Sequence, residues 1–465
     1  MFDLNIERVL EHWTIAHAIR EIIANALDEQ ALTGTEEPTI FKDTLGHWHI
    51  RDRGRGLHYQ HLTQNENTEK LKHPQQVIGK FGVGLKDALA SFHRREIGVT
   101  LASPHGNITL ARAQKHDFED VATLHANIDD SPITPLDMGT DVILAGVSDD
   151  DIEMAKSFFL RYSQDEVLEE APAGTVLQRT KGAARIYVNG LRIAEEPNFL
   201  FSYNITSTST VLRKALNRER TNVGRTAYTD RVKAILLSCK TPEVADLLTR
   251  DLAAFQAGTM HDELQWMDVA LHACRVLNAR QQVVFFTVNE ITVAGKFVEY
   301  AKDDGFRVVV VPDTVRRKLP ALRDLSGEPI RDLTQYQQEW DEGHQYAFVA
   351  AEELTPSERV IWDQTSAIFQ LAGGRPPVIR EVLISETMRV DRHGYEQAVG
   401  VWDPREGHVI IKRAQLRSLA AFAGTLLHEL THATSSTDDL SLAFEEALTT
   451  CLGTAVANSV SRQSS

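Results

Sequence analysis

The sequence predicts a multidomain α+β protein, and three observations lead there. At 465 residues the chain is too long for one ordinary core, so two to four domains are expected. Its hydrophobic pattern switches repeatedly between helical and strand periods. Two sets of chemistry-bearing motifs lie far apart in the chain, one in its first third and one near its C-terminal end. Hydrophobic content of 42% and charged content of 25% are those of ordinary globular protein, and the Ser-rich tail at 458–465 alone reads as disordered. The formal charge of -16 argues against gripping nucleic acid through broad phosphate contacts, so nucleic acid is not expected as the main partner. Cys239, Cys274 and Cys451 are scattered and make no disulfide framework, which fits a reducing compartment. The N-terminus lacks an apolar core of signal-peptide length, and no run of eighteen apolar residues occurs. A cytoplasmic protein with no membrane partner is expected.

From Ile6 to Gln30, apolar residues recur at helical spacing, which predicts one or two amphipathic helices. Within them Glu21, Asn25 and Asp28 stand at i, i+4 and i+7 and share one face, where a carboxylate and an amide can orient water and Mg²⁺. A strand-like run, His47 to Arg51, leads into Asp52-Arg53-Gly54-Arg55-Gly56, whose glycines let the backbone turn tightly against a flat ligand. Asp52 can accept a hydrogen bond from an exocyclic amine. Gly79-Lys80-Phe81-Gly82-Val83-Gly84-Leu85-Lys86 reads as a glycine-rich loop entering a helix, suited to phosphate. It is not a Walker A loop, because Gly84 is followed by Leu85-Lys86. A Gly139-Thr140 pair opens another strand.

In this order and spacing the four boxes resemble the GHKL ATPase superfamily, which includes gyrase B, MutL, histidine kinases and the ATP-driven heat-shock chaperone. The resemblance implies a Bergerat α/β sandwich over residues 1–154 that holds ATP and Mg²⁺. It implies Glu21 as the base that activates the attacking water, Asn25 as the Mg²⁺ ligand and Asp52 as the adenine-reading acid. Asp28 matches the acid that closes the helix motif. Gly54 and Gly56 match the first glycine box, Gly79, Gly82, Gly84 and Lys86 the phosphate loop, and Thr140 the adenine-side threonine. With Glu21 present, the implied activity is hydrolysis. Residues 59–78 stand where the family has its lid, and ATP-dependent homodimerisation is also implied.

Residues 155–240 follow as a transducer-like α/β domain. Its alternating segment Ala184 to Ile193 turns at Asn189-Gly190, a strong hairpin signal. By the same resemblance, Lys214, Arg218 or Arg220 would sense the γ-phosphate. Residues 241–350 read as helices followed by a small β-α-β connector, whose apolar strands Gln282–Val288 and Phe306–Pro312 suggest a buried parallel sheet. Pro320 to Glu342, polar and charged, reads as a linker or exposed surface. The last domain, 351–460, is read as a helix from Ser357 to Leu371 and then strands at Ile379–Ile384, Gln397–Trp402 and His408–Lys412.

These strands precede Leu426-Leu427-His428-Glu429-Leu430-Thr431-His432. On a helix His428 and His432 lie one turn apart and can reach one Zn²⁺, with Glu429 beside it. A chain with eighteen histidines can produce this motif by chance, so its apolar lead-in and the acids that follow carry the reading. Taken as a helix, Ser441 to Leu452 places Glu445 on a stripe with Leu448 and Leu452; Glu445 is the expected third zinc ligand and Glu446 the alternative. The arrangement resembles gluzincin-type metallopeptidases, a zincin-like α+β fold, and implies Glu429 as general base. Tyr395 and His393 are candidate oxyanion donors. Together the motifs predict an ATP-regulated zinc metalloprotease acting on a specific intracellular protein, suited to bacterial stress or anti-phage defence. The rival expectation is a MutL- or chaperone-like ATPase clamp with a structural zinc.

Overall fold

The computed structural model describes residues 2–4, 13–62, 70, 77–78, 83–114, 122–130, 136–180, 182–216, 223–390, 398–437, 439 and 441–463. They form an α+β protein with several sheets and two compact units, Met1–Arg280 and Gln281–Ser465.

In the first unit, helix α1 (Ile15–Thr33) holds the long apolar stripe. It has no internal glycine or proline, and the Thr14 amide donates to His17 Nδ1 at its start. Gly34, at φ 66°, ends it with an amide donated to the Gln30 carbonyl, a left-handed stop that glycine adopts without a Cβ penalty. Helix α1 accounts for the expected helical stretch from Ile15 onward; residues 5–12 lie outside the described residues.

Strands β1 (Phe2–Asp3), β2 (Thr39–Lys42), β3 (Trp48–Arg51), β4 (Gly98–Ser103), β5 (Gly106–Gln114), β6 (Ala122–Asp129) and β7 (Asp141–Ala145) make an antiparallel sheet in the order β1-β6-β5-β4-β7-β3-β2. Helices α1, α2 (Val83–Arg94) and α3 (Asp149–Lys156) belong to the same core. Ile19, Ile22 and Ile23 of α1 join Leu89 and Phe92 of α2 and Leu101, Ile108 and Leu144 of the sheet, each 4% exposed or less. Each such side chain contributes about 1.5–3 kcal/mol.

A second sheet has the order β11-β10-β12-β9-β8, from β8 (Val167–Ala171), β9 (Gly174–Gln178), β10 (Ala184–Val188), β11 (Leu191–Glu196) and β12 (Phe201–Ile205). The β10–β11 hairpin turns where expected, with Asn189 at φ 48° and Gly190 at φ 79°. These two left-handed residues match the right-handed twist of the paired strands. Helices α4 (Thr229–Leu236), α5 (Pro242–Leu252) and α6 (Met267–Arg280) complete the unit.

The second unit opens with the expected β-α-β element. Strands β13 (Val283–Phe286) and β14 (Arg307–Val310) pair in parallel, and helix α7 (Gly295–Asp303) lies between them in sequence. All four β13 residues are buried. The stretch read as a linker is instead partly helix α8 (Leu333–Gly343), capped by Asp332, whose side chain accepts from the Gln335 amide. Leu333 and Tyr336 are 3% and 2% exposed, so two apolar anchors at helical spacing outweigh the polar average.

Beyond it, β15 (Phe348–Val349), β16 (Glu381–Ser385), β17 (Gly400–Asp403) and β18 (His408–Lys412) form a mixed sheet, β15-β16-β18-β17. The helix expected over 357–371 is two, Pro356–Trp362 and Thr365–Leu371. Helices α9 (Leu419–Ser435) and α10 (Leu442–Gln463) follow. Val409 and Ile411 of β18 share a core with Phe422, Leu426 and Leu430 of α9, so α9 is seated beside the sheet along one apolar stripe.

Candidate metal centre and nucleotide-site residues

The Ser418 side chain starts α9 by accepting from the Ala421 amide, and the apolar stripe through Phe422, Leu426 and Leu430 buries one face. That burial leaves His428 and His432 one turn apart on another face, with their Nε2 atoms 3.2 Å from each other. Ser436, at φ 52°, ends the helix in the left-handed region and donates its amide to the His432 carbonyl. The reversed chain returns Asp439, whose Oδ1 lies 3.2 Å from His428 Nε2 and 3.1 Å from His432 Nε2. Among the described residues, His428, His432 and Asp439 are the His, Cys, Asp or Glu side chains whose ligand atoms lie within 4.8 Å of one another.

His432 Nδ1 donates to the Thr437 carbonyl at 2.9 Å, which places its proton there and leaves Nε2 a lone pair. The His428 and His432 Nε2 atoms face each other at 3.2 Å with the Asp439 carboxylate against both, a contact satisfied by a proton on His428 Nε2 or by a cation between them. Burial lowers the His428 pKa and so favours the neutral, ligand form; Asp439 opposes this and His432 reinforces it. Two imidazoles and one carboxylate are a donor set that zinc accepts, with a fourth position left for water or substrate. Phe444, 4% exposed, stacks on His432 at 4.4 Å and meets His428 edge-on at 4.9 Å, fixing both rings.

Glu429 is 5% exposed. Burial, aided by the Asp439 charge and opposed by a hydrogen bond from the Trp402 amide, raises its pKa to about 8. The Trp402 contact sets Glu429 against β17, the edge strand of its sheet. Gly400 makes the approach possible, since a Cβ there would lie 2.7 Å from Glu429 Oε1.

Glu445 and Glu446, expected to supply the third ligand, stand exposed in the first two turns of α10, outside this cluster. The stripe assigned inward on that helix is corrected as well. Leu452 is 44% exposed, and Phe444 and Cys451 are the residues that pack inward. His393 and Tyr395 lie outside the described residues. Asp439 and Gly400 were missed, because the left-handed turn at Ser436 and the edge-strand contact depend on tertiary geometry.

In the first unit, Glu21, Asn25 and Asp28 do share one face of α1. Glu21, 3% exposed, accepts from Arg20 Nε at 3.1 Å and Nη2 at 2.8 Å. The Arg20 guanidinium lies 5.4 Å from the Trp13 ring centroid and 5.6 Å from that of Phe158. Gly84, in the first turn of α2, faces Glu21; a Cβ there would lie 2.4 Å from Glu21 Oε2. Lys70 Nζ bridges Asn25 Oδ1 at 3.1 Å and Asp28 Oδ2 at 2.7 Å, and Asp28 Oδ1 accepts from the Ile78 amide.

Asp52 Oδ1 accepts from the amides of Gly54 at 2.8 Å and Thr140 at 3.3 Å. The two loops also pair through backbone, Asp52 amide to Thr140 carbonyl and Gly139 amide to Gly54 carbonyl, each 3.0 Å. Gly139 is required there, since a Cβ would fall 2.0 Å from the Asp52 carbonyl oxygen. Burial raises the Asp52 pKa against those two amides, and burial lowers that of Lys86. Gly56 sits beside this pairing at φ 89°. The structure therefore brings together Glu21 with Gly84, and Asp52 with Gly54 and Thr140. Gly79, Gly82, Arg218 and Arg220 lie outside the described residues, and Lys214 is exposed on the short helix Thr210–Ala215.

Residues 150–242 match the model of a family described as the Mycoplasma pneumoniae MPN635 N-terminal domain. The match runs from α3 through the second sheet to the start of α5. An uncharacterised Mycoplasma pneumoniae protein is 38% identical over 244 residues, covering 51% of this chain and 96% of that protein. A second uncharacterised protein of that organism is 25% identical over 334 residues, covering 67% of this chain and 93% of its own length. With 38% identity across almost all of the first relative, the chain belongs to the family of that uncharacterised Mycoplasma pneumoniae protein.

Proposed function

We propose that the chain is an ATP-regulated zinc metallopeptidase that hydrolyses a peptide bond in a specific intracellular protein. The observation that carries this reading is the convergence of His428, His432 and Asp439 beside the buried Glu429 and the edge strand β17. On this reading 351–460 is zincin-like, 1–154 a Bergerat ATPase, 155–240 a transducer and 241–350 a connector.

His428, His432 and Asp439 hold Zn²⁺, which when bound polarises a scissile carbonyl and acidifies water. Glu429 takes the proton from the attacking water and delivers it to the leaving amine. Without a cation, burial and the Asp439 charge hold that carboxyl at about 8; a cation held by His428, His432 and Asp439 would offset the Asp439 charge and favour the carboxylate that takes the proton. Trp402 holds that carboxyl at the strand edge, and Phe444 with the Thr437 carbonyl keeps the imidazoles in their ligating orientation. In the first unit, Glu21 activates water for ATP hydrolysis, Asn25 holds Mg²⁺, and Asp52 reads the adenine amine. Nucleotide binding promotes homodimerisation and switches proteolysis.

The test compares wild type with Glu429→Gln on a peptide library derived from a bacterial cytosolic proteome, with Mg·ATP, Mg·ADP or no nucleotide, read by mass spectrometry. Nucleotide-dependent new termini that vanish in Glu429→Gln while zinc is retained support the peptidase. ATP turnover without cleavage in any condition favours the ATPase clamp with a structural zinc.

A further inference from the structure

The strand that meets Glu429 is tied at its start to an exposed arginine. Gly400 lies against the Glu429 carboxylate, and two residues earlier the Ala398 amide donates to the Arg389 carbonyl at 2.8 Å. The Lys412 amide donates to the Val399 carbonyl at 2.9 Å, which continues the β17–β18 ladder past Gly400. Arg389 is thereby joined to the contact point of Glu429 through about 7 Å of extended chain.

The Arg389 side chain is seated on a ring whose own position is fixed. Its guanidinium carbon lies 5.4 Å from the Tyr346 ring centroid. Tyr346 stacks on Phe348 at 5.6 Å and meets His344 edge-on at 5.1 Å. Thr387, two residues before Arg389, holds the backbone on both sides of Tyr346: its Oγ1 donates to the Gln345 carbonyl at 3.2 Å and accepts from the Ala347 amide at 3.0 Å. Burial raises the Tyr346 pKa; the Arg389 charge opposes this, while Asp403, Asp341 and Glu429 add to it. The phenol therefore stands within electrostatic reach of both the guanidinium and the Glu429 carboxylate.

Arg389 is exposed, and the ion pairs among the described residues do not use it. In a chain with 65 acidic residues against 49 basic ones, an arginine left to an aromatic ring is a donor fork open to a ligand. A guanidinium takes a carboxylate through two parallel N–H donors. Stacking on Tyr346 fixes its plane and reduces the rotamer freedom lost on binding.

We infer that Arg389, seated on Tyr346, is a specificity-determining residue of the peptidase and takes a substrate carboxylate close to the scissile bond. The carboxylate is an acidic side chain or the free C-terminus of the peptide, since both offer the same two oxygens. The inference rests on the peptidase reading.

Arg389→Gln removes the charge and Arg389→Glu reverses it, and at an exposed side chain neither leaves a buried group unpaired. The zinc-loaded full chain is first given a proteome-derived peptide library with Mg·ATP, and a cleaved peptide with an acidic residue near the cut is chosen by mass spectrometry. That peptide is then made with the acid kept or changed to its amide, and with its C-terminus free or amidated. The readout is the ratio of kcat/KM between paired forms, which cancels any difference in the amount of active enzyme. Wild type is expected to favour one carboxylate by about tenfold or more, the worth of a hydrogen bond to a charged group. Loss on changing the side chain identifies an acidic residue as the source, and loss on amidation identifies the C-terminus. The preference disappears in Arg389→Gln and reverses in Arg389→Glu. An equal preference in wild type and Arg389→Gln overturns the inference while the peptidase reading stands, as does a wild type with no carboxylate preference. Zinc-loaded wild type that cleaves no peptide in any nucleotide state overturns the peptidase reading and this inference with it.

Discussion

Replacing Asp439 by alanine is expected to remove most of the affinity for zinc, and the size of the loss follows from where its carboxylate sits. Oδ1 lies 3.2 Å from His428 Nε2 and 3.1 Å from His432 Nε2, so a cation between the imidazoles is held within about 4 Å of a full negative charge. At that separation near a protein surface one unit of charge is worth about 4 kcal/mol. That is roughly a thousandfold in dissociation constant. Glu445 is exposed and outside the cluster, so Glu445→Ala is expected to change affinity by no more than about threefold. Both are measured by competition with a chromophoric chelator, with thermal unfolding as the check on folding. Wild-type affinity in Asp439→Ala together with a large loss in Glu445→Ala would refute the geometry and restore the ligand from the second helix.

Other perturbations probe the supports of each site. Gly400→Ala places a Cβ 2.5 Å from Thr425 Cγ2 and 2.7 Å from Glu429 Oε1. It should cost about 1–3 kcal/mol in urea unfolding and depress peptide hydrolysis with zinc retained; a fully active, fully stable variant would contradict the contact. Arg20→Leu removes the guanidinium that donates twice to the buried Glu21 and should destabilise the first unit by about 3–5 kcal/mol, measured in urea, whereas a neutral result would mean the pair is dispensable. The Arg413 guanidinium, with the Thr355 amide, holds the Glu358 carboxyl at about 2 against an ordinary 4.5. A depressed carboxyl stabilises the fold above pH 4.5 and loses that contribution as pH falls from there towards 2. Arg413→Gln should therefore raise the pH of acid unfolding seen by circular dichroism, and an unchanged midpoint would show that the pair contributes nothing.

Long periodic stretches were the legible part of this fold. The body of α1 follows from an uninterrupted apolar stripe, and the β10–β11 turn from Asn189-Gly190. The β-α-β element was readable because all four β13 residues are buried, which leaves an apolar run rather than an alternation. The break between Pro356–Trp362 and Thr365–Leu371 carries no glycine or proline to announce it. Trp362 lies 6.1 Å from Phe422 and Phe369 faces Arg375, so the two segments answer to different neighbours, which local sequence does not encode. Helix α8 was hidden by its polar and charged residues, since Leu333, Tyr336 and Trp340 are the apolar side chains that anchor it.

The cluster of His428, His432 and Asp439 was legible where spacing dictates geometry and illegible where a loop does. His428, Glu429 and His432 are placed by one helical turn, which any reader of the motif can draw. Several acids follow within fourteen residues, and the left-handed turn at Ser436 decides which returns to the histidines. Serine at that position gives no glycine-like signal. On α1 the shared face of Glu21, Asn25 and Asp28 followed from spacing, but the Arg20 partner of Glu21 and the Asn189 contact to Val77 come from chain segments meeting in three dimensions.

The central claim is a zinc hydrolytic centre at the end of α9. Elemental mass spectrometry of the full chain, purified without chelator beside His432→Ala, tests it most directly. The account predicts about one zinc per wild-type chain and its loss in a variant that remains folded. A well-folded wild type that carries no zinc and takes none up would contradict it.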